Sequence, residues 1–309
     1  MKVRIGFGLG TRSALDAEPF AELVDSLERL GFDSLWLSER ITGPAPDPLV
    51  GLAVAAGRTR KLKLGTSVMV LPGRNPALVA SEWATLDRLS GGRTLPAFGL
   101  GIADPAEQQA FGVQRGERAA WFDEALPLIR RFWTEDHVDH DGPRFTFRDM
   151  SVRPKPVQSP PDVWLGGIAP SELRRVGRLG DGWLPSFCTA EQAAEGRAVI
   201  EEAAAAAGRQ IDPEHFGALL FYAHAGVPDG LARIVAARRP GVDPADLVAV
   251  GLPALRSTTE RFCDAGFSKF VVVPLEDPPS WAEELAEVAE TVLSLQRGAT
   301  APVDRVITA

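Results

Sequence analysis

The sequence predicts an α/β chain folded as a (β/α)8 TIM barrel, and three observations lead there. Apolar runs of strand length recur eight times, amphipathic helical stretches separate them, and 309 residues give room for eight such units in one domain. The strands are expected near 3–9, 32–38, 62–70, 94–100, 162–166, 181–185, 216–223 and 268–274.

In chain order, Phe20, Leu23, Val24 and Leu27 keep the spacing of one helical face, and Pro19 suits a first turn. Asn75 and Pro76 form an N-cap and first-turn pair. Gly91 closes that helix, whose Val79, Trp83 and Leu86 turn to the sheet. Residues 136–160, rich in Asp, Pro and His, interrupt the alternation after the fourth helix and are expected as an inserted loop or hairpin. A second insertion, 229–265, falls between strands seven and eight; it is too long for one helix and holds Pro240, Pro244 and Pro253. Trp281, Leu285, Val288, Val292 and Leu295 predict a final helix over the last strand. One domain is expected over 1–296, with 297–309, which lacks periodicity, as a mobile tail.

Composition excludes several classes. Lys and Arg number 33 against 41 Asp and Glu, a net charge of −8 with no basic block, which argues against a nucleic-acid or anionic-membrane surface. No run approaches the roughly 18 apolar residues of a membrane span. Met1-Lys2-Val3-Arg4 has the charge of a signal n-region, but Gly6, Gly8 and Gly10 break the apolar run before Arg12. Cys188 and Cys263, far apart in sequence, are expected as reduced thiols. The expectation is a cytoplasmic protein.

Active sites on this fold lie at the carboxyl ends of the strands. Gly6, Gly8 and Gly10, with Glu39 at the end of the second strand, suggest a dinucleotide site, but residues 11–18 intervene before the helix. The glycines are better explained as making room at a barrel mouth. Gly166 and Gly167 end a buried strand just before a helix starting at Pro170 or Ser171. Its bare N–H groups, with Arg174, Arg175 and Arg178 on the same helix, suit a phosphate; a tight turn with solvated arginines is the other reading. His137, Asp139, His140 and Asp141 have none of the spacings of zinc sites, so no metal is expected. His224, at the carboxyl end of strand seven, is a candidate contact, whereas His215 at the other end is structural. Gly-x-Ser-x-Gly, Walker, Cys-x-x-Cys and His-Glu-x-x-His patterns are all missing, which removes the nucleophilic and zinc hydrolase templates. A mouth rich in Gly, Trp and Phe suits a flat cofactor that brings its own reactivity.

Several blocks together resemble the bacterial luciferase-like superfamily of flavin and deazaflavin (coenzyme F420) enzymes. They are Gly31-Phe32-Asp33-Ser34-Leu35-Trp36-Leu37, Leu64-Gly65-Thr66-Ser67-Val68, Arg74-Asn75-Pro76 through Ser90-Gly91-Gly92-Arg93, Gly99-Leu100-Gly101 and Arg115-Gly116-Glu117-Arg118. Gly166-Gly167, Asp181-Gly182-Trp183 and Ala265-Gly266-Phe267 follow in the family's order. The resemblance implies a barrel with the ring at its carboxyl face, in a homodimer. It aligns Ser67-Val68 with a cis non-proline peptide that backs the ring in the F420 branch. Glu39 and Ser67 would be polar contacts to the ring, Val68 its apolar backing, Gly99 and Gly101 part of the cofactor site, and Gly166, Gly167 and Ile168 the phosphate cradle. Glu39 or His224 would move a proton. Where the family's second strand often ends in Asp-His, this one ends Glu39-Arg40, which removes the histidine of a sugar-phosphate dehydrogenase mechanism. The implied activity is F420-dependent hydride transfer with a small organic substrate. A monooxygenase using reduced FMN and a non-redox phosphate-binding barrel stay open. Residues 136–160, 229–260 and the surroundings of Phe187 and His224 are expected to wall the substrate pocket.

Overall fold

The computed structural model describes residues 1–239 and 241–296, so the expected tail at 297–309 lies outside the described residues. The strands are β1 (Arg4–Leu9), β2 (Ser34–Leu37), β3 (Lys63–Thr66), β4 (Met69–Val70), β5 (Thr94–Leu95), β6 (Ala97–Gly99), β7 (Val138–Asp141), β8 (Thr146–Met150), β9 (Trp164–Leu165), β10 (Gly182–Trp183), β11 (Gly217–Ala223), β12 (Val248–Val250) and β13 (Lys269–Pro274). The helices are α1 (Ala17–Leu30), α2 (Pro48–Arg58), α3 (Pro76–Ser90), α4 (Pro105–Phe111), α5 (Arg118–Thr134), α6 (Pro170–Leu179), α7 (Ala190–Ala206), α8 (Asp229–Arg238), α9 (Leu252–Asp264) and α10 (Trp281–Val292). Each apolar run expected as a strand contains one or two of these strands.

The central strands are all parallel. One sheet runs β12-β11-β13-β1-β2-β3-β5 and a second β10-β9-β6-β4. Parallel bridges at Trp183–Phe216 and Ser186–Leu219 join the second sheet's β10 side to β11. Strands covered on both faces carry apolar residues throughout rather than alternately. All four residues of β2 and all six of β13 are buried accordingly. Helices lie over them through the stripes expected from sequence: Phe20, Leu23, Val24 and Leu27 in α1, Val79, Trp83 and Leu86 in α3, and Leu285, Val288 and Val292 in α10 are buried. Asn75 caps α3 by accepting from the Ala77 N–H at 2.9 Å, and Gly91 ends that helix at φ 73°.

Glycines of β1 serve the strand layer more than the mouth. A Cβ on Gly8 would lie 2.8 Å from Val273 and 2.9 Å from Val271, while Gly10 alone of the three reaches the cavity described below.

Residues 136–160 hold the antiparallel hairpin β7–β8. Glu124 of α5 buttresses it, accepting from the Phe145 N–H at 3.2 Å and lying 3.0 Å from His140 Nε2. The chain that follows is pinned by Asp87, a fully buried carboxylate of α3. Asp87 accepts from the Val157 N–H at 2.7 Å, the Gln158 N–H at 2.9 Å, Gln158 Nε2 at 2.7 Å and Thr94 Oγ1 at 2.7 Å. The second insertion folds as α8, β12 and α9, and β12 adds to the outer edge of β11 as a strand that the sequence reading lacked.

At the amino ends of the strands, Asp33 meets Lys63 Nζ at 2.9 Å, Arg4 Nε at 4.0 Å and the buried Lys269 ammonium. Burial alone would raise the Asp33 carboxyl, but the cations around it hold it down at about 2. Among the described residues no helix is long and apolar enough to cross a membrane.

Candidate functional site

The carboxyl ends of the strands surround a cavity of about 740 Å³. Its floor is the turn from β3 to β4, where the Ser67–Val68 peptide is cis. The end of β2 holds this turn. Ser38 Oγ donates to the Ser67 carbonyl at 2.8 Å, the Glu39 N–H donates to the Val68 carbonyl at 3.1 Å, and Glu39 Oε2 accepts from the Val70 N–H at 2.7 Å. Val68 then packs into space left by glycines: a Cβ on Gly99 would lie 2.5 Å from Val68 Cγ2, and one on Gly166 would lie 3.5 Å from Val68 Cγ1. Gly101, at φ 79°, lines the same wall.

Glu39 lies in the cavity wall with its side chain 1% exposed. Both of its oxygens are engaged, one by the Val70 N–H and one by the Arg74 guanidinium, whose Nε also donates to the Val70 carbonyl at 2.9 Å. Burial pushes the Glu39 carboxyl above the usual carboxylate range although Arg74 opposes it.

Gly166 and Gly167 line the cavity and Ile168 does not. The Ile168 and Ala169 N–H groups, at the start of α6, point to one oxyanion already: Glu172 Oε2 accepts from them at 3.1 and 3.0 Å. Of the helix arginines, Arg175 and Arg178 both pair with Asp123, at 2.6 and 3.3 Å. Arg118 belongs to the site without having been assigned a role from sequence. Its Nη1 donates to the carbonyls of Gly101 and Ile102, each at 2.8 Å, and its Nε is buried with no partner. The Arg115-Gly116-Glu117-Arg118 block, which carries only part of the family resemblance, is the sequence signal that could have found it.

His224 stands apart. Its ring is 53% exposed, lies 2.9 Å from Glu284 Oε2 and is not among the residues lining the cavity. Tyr222 donates to the same carboxylate at 2.7 Å, which turns this cluster toward α10. Residues 136–160 contribute nothing to the lining either.

The wall on the β11 side is apolar. Phe187 and Phe221 stack with centroids 4.2 Å apart and planes 7° apart, and Leu231 and Ile234 of α8 extend the surface. Phe187 sits at φ 53°, a left-handed conformation rare outside glycine, and Arg239 holds its carbonyl. Above the floor, Glu107 of α4 clasps the chain after β2, accepting from the Thr42 N–H at 2.8 Å and Thr42 Oγ1 at 2.6 Å. Among the described residues no group of three or more His, Cys, Asp or Glu is arranged to hold a metal.

A sequence model of the luciferase-like monooxygenase family matches residues 3–260. The chain belongs to this family. One relative, the F420-dependent glucose-6-phosphate dehydrogenase of Kineococcus radiotolerans, is 33% identical over 174 residues, covering 53% of this chain and 51% of the dehydrogenase. The chain therefore spans about half the length of that enzyme. Limonene 1,2-monooxygenase of Rhodococcus erythropolis is 29% identical over 311 aligned positions, 89% of this chain and 79% of the monooxygenase. Among solved structures, the coenzyme F420-dependent tetrahydromethanopterin reductase of Methanopyrus kandleri superposes with a TM-score of 0.76 at 22% identity, over 96% of this chain and 100% of the reductase, a likeness of fold.

Proposed function

We propose that this chain is an F420-dependent oxidoreductase whose strands close into a (β/α)8 barrel and whose cofactor lies at the carboxyl face. The observation that carries the reading is the Val68 ledge, backed by Gly99 and Gly166 and continuing through Gly167 to the backbone N–H groups at the start of α6. A side chain at either ledge glycine would fill or crowd that space, which suits a flat ring. The buried, unpartnered Arg118 Nε adds a donor beside it. A phosphate at the α6 start would take the place of the Glu172 carboxylate. When bound, the deazaflavin supplies a ring carbon that accepts or gives a hydride.

The chain's own residues bind and orient. Ser67 and Val68 support the ring, Gly101 and Arg118 lie beside it, and Gly166, Gly167 and Ile168 carry the phosphate. Of the two proton carriers expected from sequence, Glu39 is the one in the cavity wall, with a raised carboxyl; His224 lies outside it. The outward face of α2 is apolar at Val50, Ala53 and Val54, which supports a homodimer, checked by sedimentation.

The long alignment with limonene 1,2-monooxygenase favours a second reading, an FMN-dependent monooxygenase. Absorbance and fluorescence titrations with F420 and with FMN separate them. Binding of F420 alone supports the first reading and binding of FMN alone the second; binding of neither overturns both and leaves a non-redox barrel.

A further inference from the structure

The cavity has two unlike sides. In strand order, β4, β6 and β9 of one sheet lead to Val68, the glycines and the α6 start, whereas β11, β13 and β1 belong to the other sheet. On this second side the wall is Phe187, Phe221, Leu231, Ile234 and Leu275. Ile234 remains 44% exposed, and Ile102 at the mouth 41%, so apolar surface faces the opening.

Cations are scarce there. Among the described residues the lining includes no Lys and no His, and its three arginines are outnumbered by five carboxylates: Glu39, Glu107, Glu172, Glu276 and Asp277. Arg175 is paired with Asp123, and Arg118 lies on the glycine side, donating to backbone carbonyls. Only the exposed Arg12 remains on the second side, together with Glu276 and Asp277. A phosphate ester needs several charge-assisted donors to replace its water shell, and a polyol needs a matching set of polar partners. The five apolar side chains supply neither, and the polar lining on this side is limited to Thr11, Arg12, Ser13, Ser186, Glu276 and Asp277.

The aromatic pair is also fixed in place. Arg239, just after α8, holds the Phe187 carbonyl and donates to Gln192 Oε1 at 2.8 Å, so the segment carrying Phe187 is tied to the helix carrying Leu231 and Ile234. A side chain kept in a left-handed backbone by such a tether is a built surface.

We propose that the Phe187, Phe221, Leu231, Ile234 and Leu275 wall is the substrate side of the cavity and takes an uncharged, predominantly apolar small molecule in preference to a sugar phosphate. The proposal rests on the oxidoreductase reading only in giving the glycine side to the cofactor.

The test is calorimetric titration of the full chain, with and without saturating F420, against cyclopentanol, cyclohexanol, cycloheptanol and glucose 6-phosphate. Affinity is expected to rise about three- to fourfold for each added methylene, with glucose 6-phosphate showing no heat of binding. Phe187→Ala should lower cyclohexanol affinity about tenfold and Phe187→Leu about threefold, with circular dichroism unchanged in both. Phe221→Ala provides the same measurement should Phe187 variants misfold. A flat cycloalkanol series, or glucose 6-phosphate binding more tightly than cyclohexanol, overturns the proposal. F420 binding is read separately: if F420 fails to bind while the cycloalkanol series holds, the cofactor reading falls and the apolar subsite stands. If F420 binds and the series is flat, the subsite alone falls.

Discussion

Glu39 and Arg74 form a shielded ion pair under the cavity, and each also bonds the backbone of Val70, one at its N–H and the other at its carbonyl. The pair therefore sets the height of the β3–β4 turn and with it the Val68 ledge.

Burial raises the Glu39 carboxyl despite the neighbouring guanidinium, so desolvation outweighs the attraction within the pair. Glu39→Ala should cost about 2–3 kcal/mol by leaving Arg74 without its counter-charge, and Arg74→Ala a similar amount. The double variant Glu39→Leu/Arg74→Met should recover most of the loss in urea unfolding. A double variant as unstable as the two single losses added together would show that the charges themselves stabilise the turn.

Glu172 competes with any phosphate at the α6 start, because its carboxylate occupies the Ile168 and Ala169 donors. Glu172→Ala should raise F420 affinity about five- to tenfold while costing the helix about 0.5–1 kcal/mol of capping. Fluorescence titration and thermal melting read the two effects independently. Unchanged or weaker F420 binding would place the phosphate elsewhere.

Gly99 has no room for a methyl group, since its Cβ would stand 2.5 Å from Val68 Cγ2. Gly99→Ala is expected to cost about 1–3 kcal/mol and to weaken cofactor binding. Adding Val68→Ala removes the clashing methyls and should restore the melting temperature without restoring affinity. Full affinity in the double variant would mean that the ring does not rest on Val68.

Asp33 makes the stability acid-sensitive. Its folded value of about 2 lies below the ordinary 3.8, so its contribution is fully present above about pH 4 and is lost as pH falls through about 2. The size is about 2 kcal/mol for this shift. Asp33→Asn should flatten that part of the acid unfolding curve and lower neutral stability further, because Lys269 is then buried without its partner. An unaltered acid limb would assign the sensitivity to other carboxylates.

The sequence disclosed the parallel strands and most helix faces because burial on both sides leaves continuous apolar runs, and one-sided burial leaves a helical period. It did not disclose β12, whose three residues follow a proline-rich stretch and are too short for a pattern. The site was legible in some of its backbone features: Gly99, Gly101, Gly166, Gly167 and the Ser67–Val68 turn lie at the cavity, whereas Gly6 and Gly8 do not. Side-chain partnerships were not legible, because pairs such as Glu39 with Arg74 or Glu172 with the Ile168 N–H depend on where turns aim their ends. His224 shows the same limit. A residue one step past a strand faces either the interior or the helix layer, and here Tyr222, Glu284 and His224 cluster on the helix side.

Asp87 gives the hairpin insertion a thermodynamic standing that its loop-like composition hides. Detaching the chain at Val157 and Gln158 would strip three hydrogen bonds from a carboxylate that has no access to water where it sits. Local fraying there carries the cost of leaving that carboxylate without donors, so the segment is expected to open together with the surrounding layers. The Val157 and Gln158 amides should exchange with deuterium only as slowly as the global core, marking a segment between two elements as part of the most protected unit of the molecule.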